Sequence, residues 1–75
     1  MVFPNPAKDL VNISMNGLKG KKEIEIFDFA ERLVEKSNTN SASYQLNVSA
    51  YEKGAYVLMI KTDQKTILIR VMKKD

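Results

Sequence analysis

The sequence has no cysteine and no histidine. Without them it cannot form a disulfide, a thiolate nucleophile, a Ser-His-Asp triad or a zinc site built on His and Cys. The longest apolar run, residues 55–60, is far shorter than the roughly 20 residues that span a bilayer. No basic segment precedes an apolar run at the start, as it would in a signal peptide. We therefore expect that any export signal of this kind lies elsewhere in a larger protein.

Size and charge narrow the class of protein further. A chain of 75 residues predicts one domain, whose small core leaves little stability to spare. Its net charge is +3, and its lysines are spread apart from small clusters at 19–22 and 73–74. Nucleic-acid-binding proteins concentrate basic residues and interleave them with aromatic ones. The pattern instead favours lysines on a solvated surface and no nucleic-acid partner.

The polar residues do not form a catalytic pattern. Glu23 and Glu25 are two apart on a predicted strand, so they share one face, which we expect to be solvated. Residues 38–41 offer oxygen atoms but no carboxylate for calcium, and the glycines are too scattered for a phosphate-binding loop. We predict no catalytic residue, no metal, no cofactor and no small-molecule substrate, and hence no enzyme.

Apolar residues alternate with polar ones along most of the chain, which is the period of a strand. These segments recur about every 8 to 12 residues with turn signals between them, a spacing that favours a small antiparallel β-sandwich or barrel. Residues 37–43 are polar and predict a loop. Strands are predicted at residues 10–15, 22–27, 32–36, 44–48, 55–61 and 66–72, with a seventh if residues 2–3 pair at an edge.

Two local questions stay open in this pattern. Residues 28–36 could form a helix, but the strand pattern on both sides favours a hairpin. Residues 55–61 are apolar on both faces, so Val57 and Met59, like Phe27 and Phe29, are either covered within the chain or dock a partner. The predicted core comprises Tyr56, Leu58, Ile60, Ile67, Ile69 and Val71.

The chain opens with Phe3-Pro4-Asn5-Pro6, which holds both of its prolines. Each proline fixes φ and removes a hydrogen-bond donor, and Asn5 is pushed to extended geometry by Pro6. This predicts a stiff entrance to the domain, with Phe3 packed beneath the sandwich as an anchor.

The order of short motifs resembles the C-terminal sorting domain (type A) of the type IX secretion system of Bacteroidetes. The opening is similar to the family's YPNPAKD. The other matching segments are Ile24-Glu25-Ile26-Phe27-Asp28, Arg32-Leu33-Val34, Leu46-Asn47-Val48-Ser49, Gly54-Ala55-Tyr56-Val57-Leu58 and Ile69-Arg70-Val71-Met72-Lys73-Lys74.

The resemblance implies an immunoglobulin-like sandwich of about seven strands, with residues 1–75 forming one sorting domain at the C-terminus of a larger secreted cargo. It implies export from the periplasm across the outer membrane to the cell surface or medium. Implied partners are the N-terminal cargo domains, an outer-membrane shuttle protein and a sortase-like protease that usually removes the domain. The family's signature residues correspond here to Pro4, Asn5, Pro6, Gly54, Tyr56, Lys73 and Lys74.

The chain departs from the family at two positions. Glu31 stands where the family has glycine before Arg32, which puts the shape of the 28–32 connection in question. Tyr51 stands where the family has leucine three residues before Gly54, which predicts a packing change.

An immunoglobulin-like adhesion or spacer module that binds carbohydrate or protein is the alternative function, because a fold does not fix a function. The sequence also leaves open a weak homodimer through an edge strand near the C-terminus.

Overall fold

The computed structural model describes residues 2–3 and 8–74, and for Phe3 the backbone alone. These residues form strands and turns and contain no helix. The described part of the chain therefore has no helix that could cross a membrane. The strands are β1 (Val2–Phe3), β2 (Leu10–Ser14), β3 (Lys22–Phe27), β4 (Leu33–Thr39), β5 (Ser43–Asn47), β6 (Gly54–Lys61) and β7 (Thr66–Lys73). The all-β prediction is confirmed, including the short strand at Val2–Phe3.

The strands form two antiparallel sheets, ordered β1-β2-β5 and β4-β3-β6-β7. This is consistent with the small immunoglobulin-like sandwich that the resemblance implied. After β4 the chain crosses from the larger sheet to the smaller one, where β5 pairs with β2. Val11 of β2 therefore lies opposite Leu46 of β5. In the hairpin of β6 and β7, the pairs run from Gly54 opposite Lys73 to Lys61 opposite Thr66.

The core lies between the sheets, because alternate residues of each strand point to the same face. Of the six predicted core residues, Tyr56, Leu58, Ile60 and Val71 are buried. Ile67 and Ile69 are half-buried and pack at its margin, because β7 is the end strand in the order of described strands. The other buried apolar residues are Val11, Ile13, Met15, Ile24, Ile26, Leu46 and Val48.

Lys22 is buried, so the expectation of a solvated lysine is wrong at this position. It occupies an inward position of β3 and is 1% exposed. Its Nζ donates hydrogen bonds to the carbonyl oxygens of Gly20, Asn40 and Ser41, at 3.0, 3.3 and 3.1 Å. Lys22 therefore ties the connection before β3 to the loop between β4 and β5.

Glu25 is also buried, so the prediction of a solvated face is wrong there. Glu25 is 7% exposed. β3 is an inner strand, and the side chains of Lys36 on β4 and Lys61 on β6 cover the carboxylate. Oε1 lies 3.1 Å from Nζ of Lys61 and Oε2 lies 3.9 Å from Nζ of Lys36. Glu23, which shares Lys36 at 3.6 Å, stays partly exposed.

The hairpin prediction for residues 28–36 is confirmed, but its second strand is longer than predicted. β4 extends to Thr39, and β5 begins at Ser43. The predicted 37–43 loop therefore shrinks to residues 40–42. Residues 37–39 pair with residues 22–24 of β3, and this pairing overrides their polar composition.

The two ends of the sandwich carry different segments. We call the "exit end" the end formed by residues 8–9, 28–32, 48–53 and 73–74, where the N–H of Val48 donates to the carbonyl of Asp9 at 2.7 Å. The "entry end" is formed by residues 15–21, 40–42 and 62–65, where the N–H of Met15 donates to the carbonyl of Ala42 at 2.7 Å. At the rise of a strand, β6 separates these ends by about 23 Å.

Candidate recognition site

Gly54 and Lys73 lie opposite each other at the exit end. Gly54 is the first residue of β6 and has a φ of 144°, a backbone conformation that residues other than glycine rarely adopt. Lys73 is 9% exposed, and its Nζ donates to the carbonyl of Lys74 at 2.9 Å. Lys74 follows β7 and is exposed. The structure thus brings together three of the signature residues predicted from the sequence.

Tyr56 lies two residues along β6 and points into the core. It is 8% exposed, and its O–H donates to the carbonyl of Glu52 at 2.6 Å. Burial raises the pKa of this phenol above its ordinary value. Tyr56 therefore fixes the segment before β6 from beneath, and most of its side chain is out of reach of a partner.

Tyr51 packs on Tyr56, with ring centroids 5.3 Å apart and planes tilted by 40°. Its O–H donates to Oε1 of Glu35 at 2.8 Å. Burial first, and then the hydrogen bond to Glu35, raise the pKa of Tyr51 above its ordinary value. Where the family has leucine, this chain therefore gains a link between the loop before β6 and strand β4.

Asp28 organises the turn that joins β3 to β4. Its Oδ1 accepts the backbone N–H groups of Ala30 and Arg32, both at 2.9 Å. Its Oδ2 accepts Nε of Arg32 at 3.0 Å. These bonds, above all the one from the backbone of Arg32, lower the pKa of Asp28.

Glu31 sits in the same turn at a φ of 65°. Among the described residues it is the one position other than glycine with a positive φ. Its backbone N–H donates to the carbonyl of Asp28 at 3.0 Å. The turn where the family has glycine is thus kept, with glutamate forced into the left-handed region.

A groove of about 500 Å³ joins this turn to the start of β6. We call it the "exit groove". Phe29 is 87% exposed on its wall, and the side chain of Arg32 is 79% exposed. Its lining residues are 28–30, Arg32, Val34 and 50–56.

Arg32 was not among the site residues predicted from the sequence, and Phe29 was named there only as an apolar residue that is either covered or docks a partner. The available signal was an aromatic residue and an arginine within one short turn, but the alternation of strands does not say whether a turn residue is covered. For Phe29 and Val57, the interpretation that the chain covers its own apolar residues is wrong, because they are 87% and 38% exposed. Phe27 and Met59 are half-buried.

Pro4, Asn5 and Pro6 lie outside the described residues, as does the side chain of Phe3 that was expected to anchor the entrance. Within residues 2–3 and 8–74, no group of His, Cys, Asp and Glu side chains could hold a metal ion.

The family comparison decides what this arrangement belongs to. The model of the secretion system C-terminal sorting domain matches residues 1–74. The chain belongs to this family. Comparison with curated proteins gives no match.

As a type IX secretion C-terminal sorting domain, the chain is a sorting signal, and domains of this kind are non-catalytic tags. Membership implies that the sorting domain interacts with the type IX secretion machinery. It also implies export across the outer membrane to a secreted or surface location.

Proposed function

We propose that residues 1–75 form the single C-terminal sorting domain of a larger secreted protein. An outer-membrane shuttle protein recognises the sorting domain while the N-terminal cargo domains are still attached. A sortase-like protease then removes it at the cell surface. Family membership supports the secretion route, and the pairing of Gly54 with Lys73 at the exit end supports recognition there.

The observation that carries this proposal is the meeting of Gly54, Lys73 and Lys74 at one end of the sandwich. The described chain begins at Val2 opposite Ile13, in the half nearer the entry end. A cargo domain joined there would leave the exit end open to the shuttle protein.

Export of a reporter tests the proposal. Residues 1–75 are fused behind a periplasmic reporter in a strain with a working type IX system, and the reporter is measured at the cell surface and in the medium. We expect the fusion to be exported, and a fusion that lacks residues 66–75 to stay in the periplasm. A wild-type fusion that stays in the periplasm would contradict the proposal, as would export without those residues. An adhesion or spacer module without a sorting signal would leave the wild-type fusion in the periplasm.

A charge reversal separates recognition from folding, since removing residues 66–75 also removes β7. We expect Lys74→Glu to reduce export, because Lys74 is exposed at the exit end. Lys65→Glu is the matched control, since Lys65 is an exposed lysine at the entry end. Equal export of the two variants would remove Lys74 from the recognised surface.

A further inference from the structure

We propose that the exit groove docks a protein of the secretion machinery, with Phe29 entering an apolar pocket of that protein and Arg32 binding a carboxylate at the rim of the pocket. This inference rests on the proposed function and identifies the surface through which it operates. It concerns residues outside the signature set predicted from the sequence.

Phe29 has the exposure and the support of an interface anchor. Its side chain is 87% exposed, although water is an unfavourable environment for a benzyl group. The turn that carries it is closed by bonds from Ala30, Glu31 and Arg32 to Asp28. A side chain presented on an ordered turn loses less conformational entropy when it binds. Buried aromatic residues and arginines are the residues that most often dominate binding energy at interfaces.

Arg32 is positioned by the same aspartate. Its Nε donates to Oδ2 of Asp28, while its side chain stays 79% exposed. A guanidinium carries five N–H donors in a rigid plane, so one such bond orients it and leaves capacity for a second carboxylate. Arginine binds carboxylates through paired hydrogen bonds, which adds geometric specificity.

The charges around the exit groove favour an acidic rim on the partner. The carboxylate of Asp28 already accepts hydrogen bonds from Ala30 and Arg32. Among the described residues of this end, cations outnumber carboxylates by five to four, and complementary charge supports both the rate and the specificity of docking. The cations are Lys8, Arg32, Lys53, Lys73 and Lys74, and the carboxylates are Asp9, Asp28, Glu31 and Glu52.

The strain at Glu31 is an independent observation that points to the same turn. The left-handed backbone conformation costs a residue other than glycine roughly 1–2 kcal/mol in conformational free energy. Strained backbone of this kind concentrates at binding sites and switch regions. Because Glu31 stands between Phe29 and Arg32, its conformation sets the direction in which the turn presents both side chains.

Export of the fusion protein tests the docking surface. We expect Phe29→Ser and Arg32→Glu each to reduce the exported reporter about tenfold, the change that a loss of roughly 1.4 kcal/mol in binding gives. Leu68→Ser and Lys65→Glu are the matched controls, since Leu68 is 62% exposed and neither residue lines the exit groove. Both controls are expected to export like the wild type.

The Phe29→Ser variant decides the inference, because the exposed side chain of Phe29 contributes little to the stability of the fold. The melting temperature of the variant checks that it is folded. If the wild type is exported and folded Phe29→Ser is exported equally, the docking inference is overturned while the proposed function stands. If the wild type is not exported, the proposed function itself fails.

A lipid surface is the other occupant that the experiment must separate. The purified domain is sedimented with vesicles of phosphatidylcholine and phosphatidylglycerol. We expect no binding that depends on Phe29. Binding by the wild type that Phe29→Ser abolishes would overturn the protein partner in favour of lipid.

Discussion

Tyr51 donates a hydrogen bond of 2.8 Å to Oε1 of Glu35, and through it the loop before β6 is held against strand β4. The same ring lies on Tyr56, whose phenol holds the carbonyl of Glu52. Two hydrogen bonds from phenols therefore hold one wall of the exit groove: Tyr51 binds strand β4, and Tyr56 binds the segment before β6.

Replacing Tyr51 by phenylalanine should lower the free energy of unfolding by about 0.5–1 kcal/mol, since it removes one partly exposed hydrogen bond and keeps the ring. Because the pKa of Tyr51 is raised in the fold, its contribution is present below its unfolded pKa and is lost as pH rises through the folded value. Urea unfolding at neutral and alkaline pH measures both effects. An unfolding curve that Tyr51→Phe leaves unchanged at every pH would contradict the prediction.

Asp28 should make the stability of the turn depend on acid. Its pKa is lowered from 3.8, so its contribution is complete above that value and declines as pH falls through it toward the folded pKa. We expect Asp28→Asn to melt at a lower temperature than the wild type at pH 7. Thermal unfolding should show this gap narrowing at acid pH. A gap that stays constant with pH would mean that the charge of Asp28 is not what holds Arg32.

Lys22→Met should destabilise the domain by about 1–3 kcal/mol, because it leaves the carbonyl groups of Gly20, Asn40 and Ser41 without their ammonium donor. The neighbouring Lys21 is exposed, so Lys21→Met is the control and should change stability by less than about 0.5 kcal/mol. Chemical acetylation followed by mass spectrometry provides a second measurement: Lys22 should react more slowly than Lys21 in the folded domain. Equal rates would show that the amine is accessible.

Glu31→Gly should stabilise the domain by up to about 1 kcal/mol. Glycine adopts a positive φ without the cost that glutamate bears, and the gain is partly offset by the greater freedom of glycine in the unfolded chain. Glu31→Ala keeps the β-carbon and should give no such gain. Denaturant unfolding of both variants checks the pair, and equal stability of the two would show that φ is not the cause.

Leu58→Ala should cost about 2–5 kcal/mol, because the side chain is 0% exposed and its removal leaves a cavity. Leu68→Ala, on the neighbouring strand but 62% exposed, should change stability by less than about 0.5 kcal/mol. Differential scanning calorimetry distinguishes the two, and similar losses would argue against the assigned faces of the β6–β7 hairpin.

The strands could be predicted from the sequence because alternation is a local property. Residues 22–27 show it, and β3 occupies that range. Because the alternation puts Glu23 and Glu25 on one face, Ile24 and Ile26 lie on the other, and both isoleucines are buried. It could not show that Lys22, on that inward face, would find carbonyl acceptors in a distant loop, or that Lys61 and Lys36 would cover Glu25, because these depend on how separate segments meet.

The candidate site was predictable only in part. Gly54 and Lys73 could be named from the motif order, and their pairing follows from the hairpin between them. Phe29 and Arg32 join the exit groove because a turn of the larger sheet meets the segment before β6, which no local pattern encodes. The roles of Pro4, Asn5 and Pro6 stay predictions, as does the homodimer, which light scattering of the purified domain can test.

The pairing of β2 with β5 also bears on when the domain acquires its structure. Two other strands intervene in the chain before Val11 meets Leu46. Domains dominated by such non-local pairs fold in roughly milliseconds to seconds, more slowly than those built from local contacts. Because the exit groove needs segments from both sides of this crossover, a newly made chain passes through an interval in which its motifs are present but the surface for docking does not yet exist.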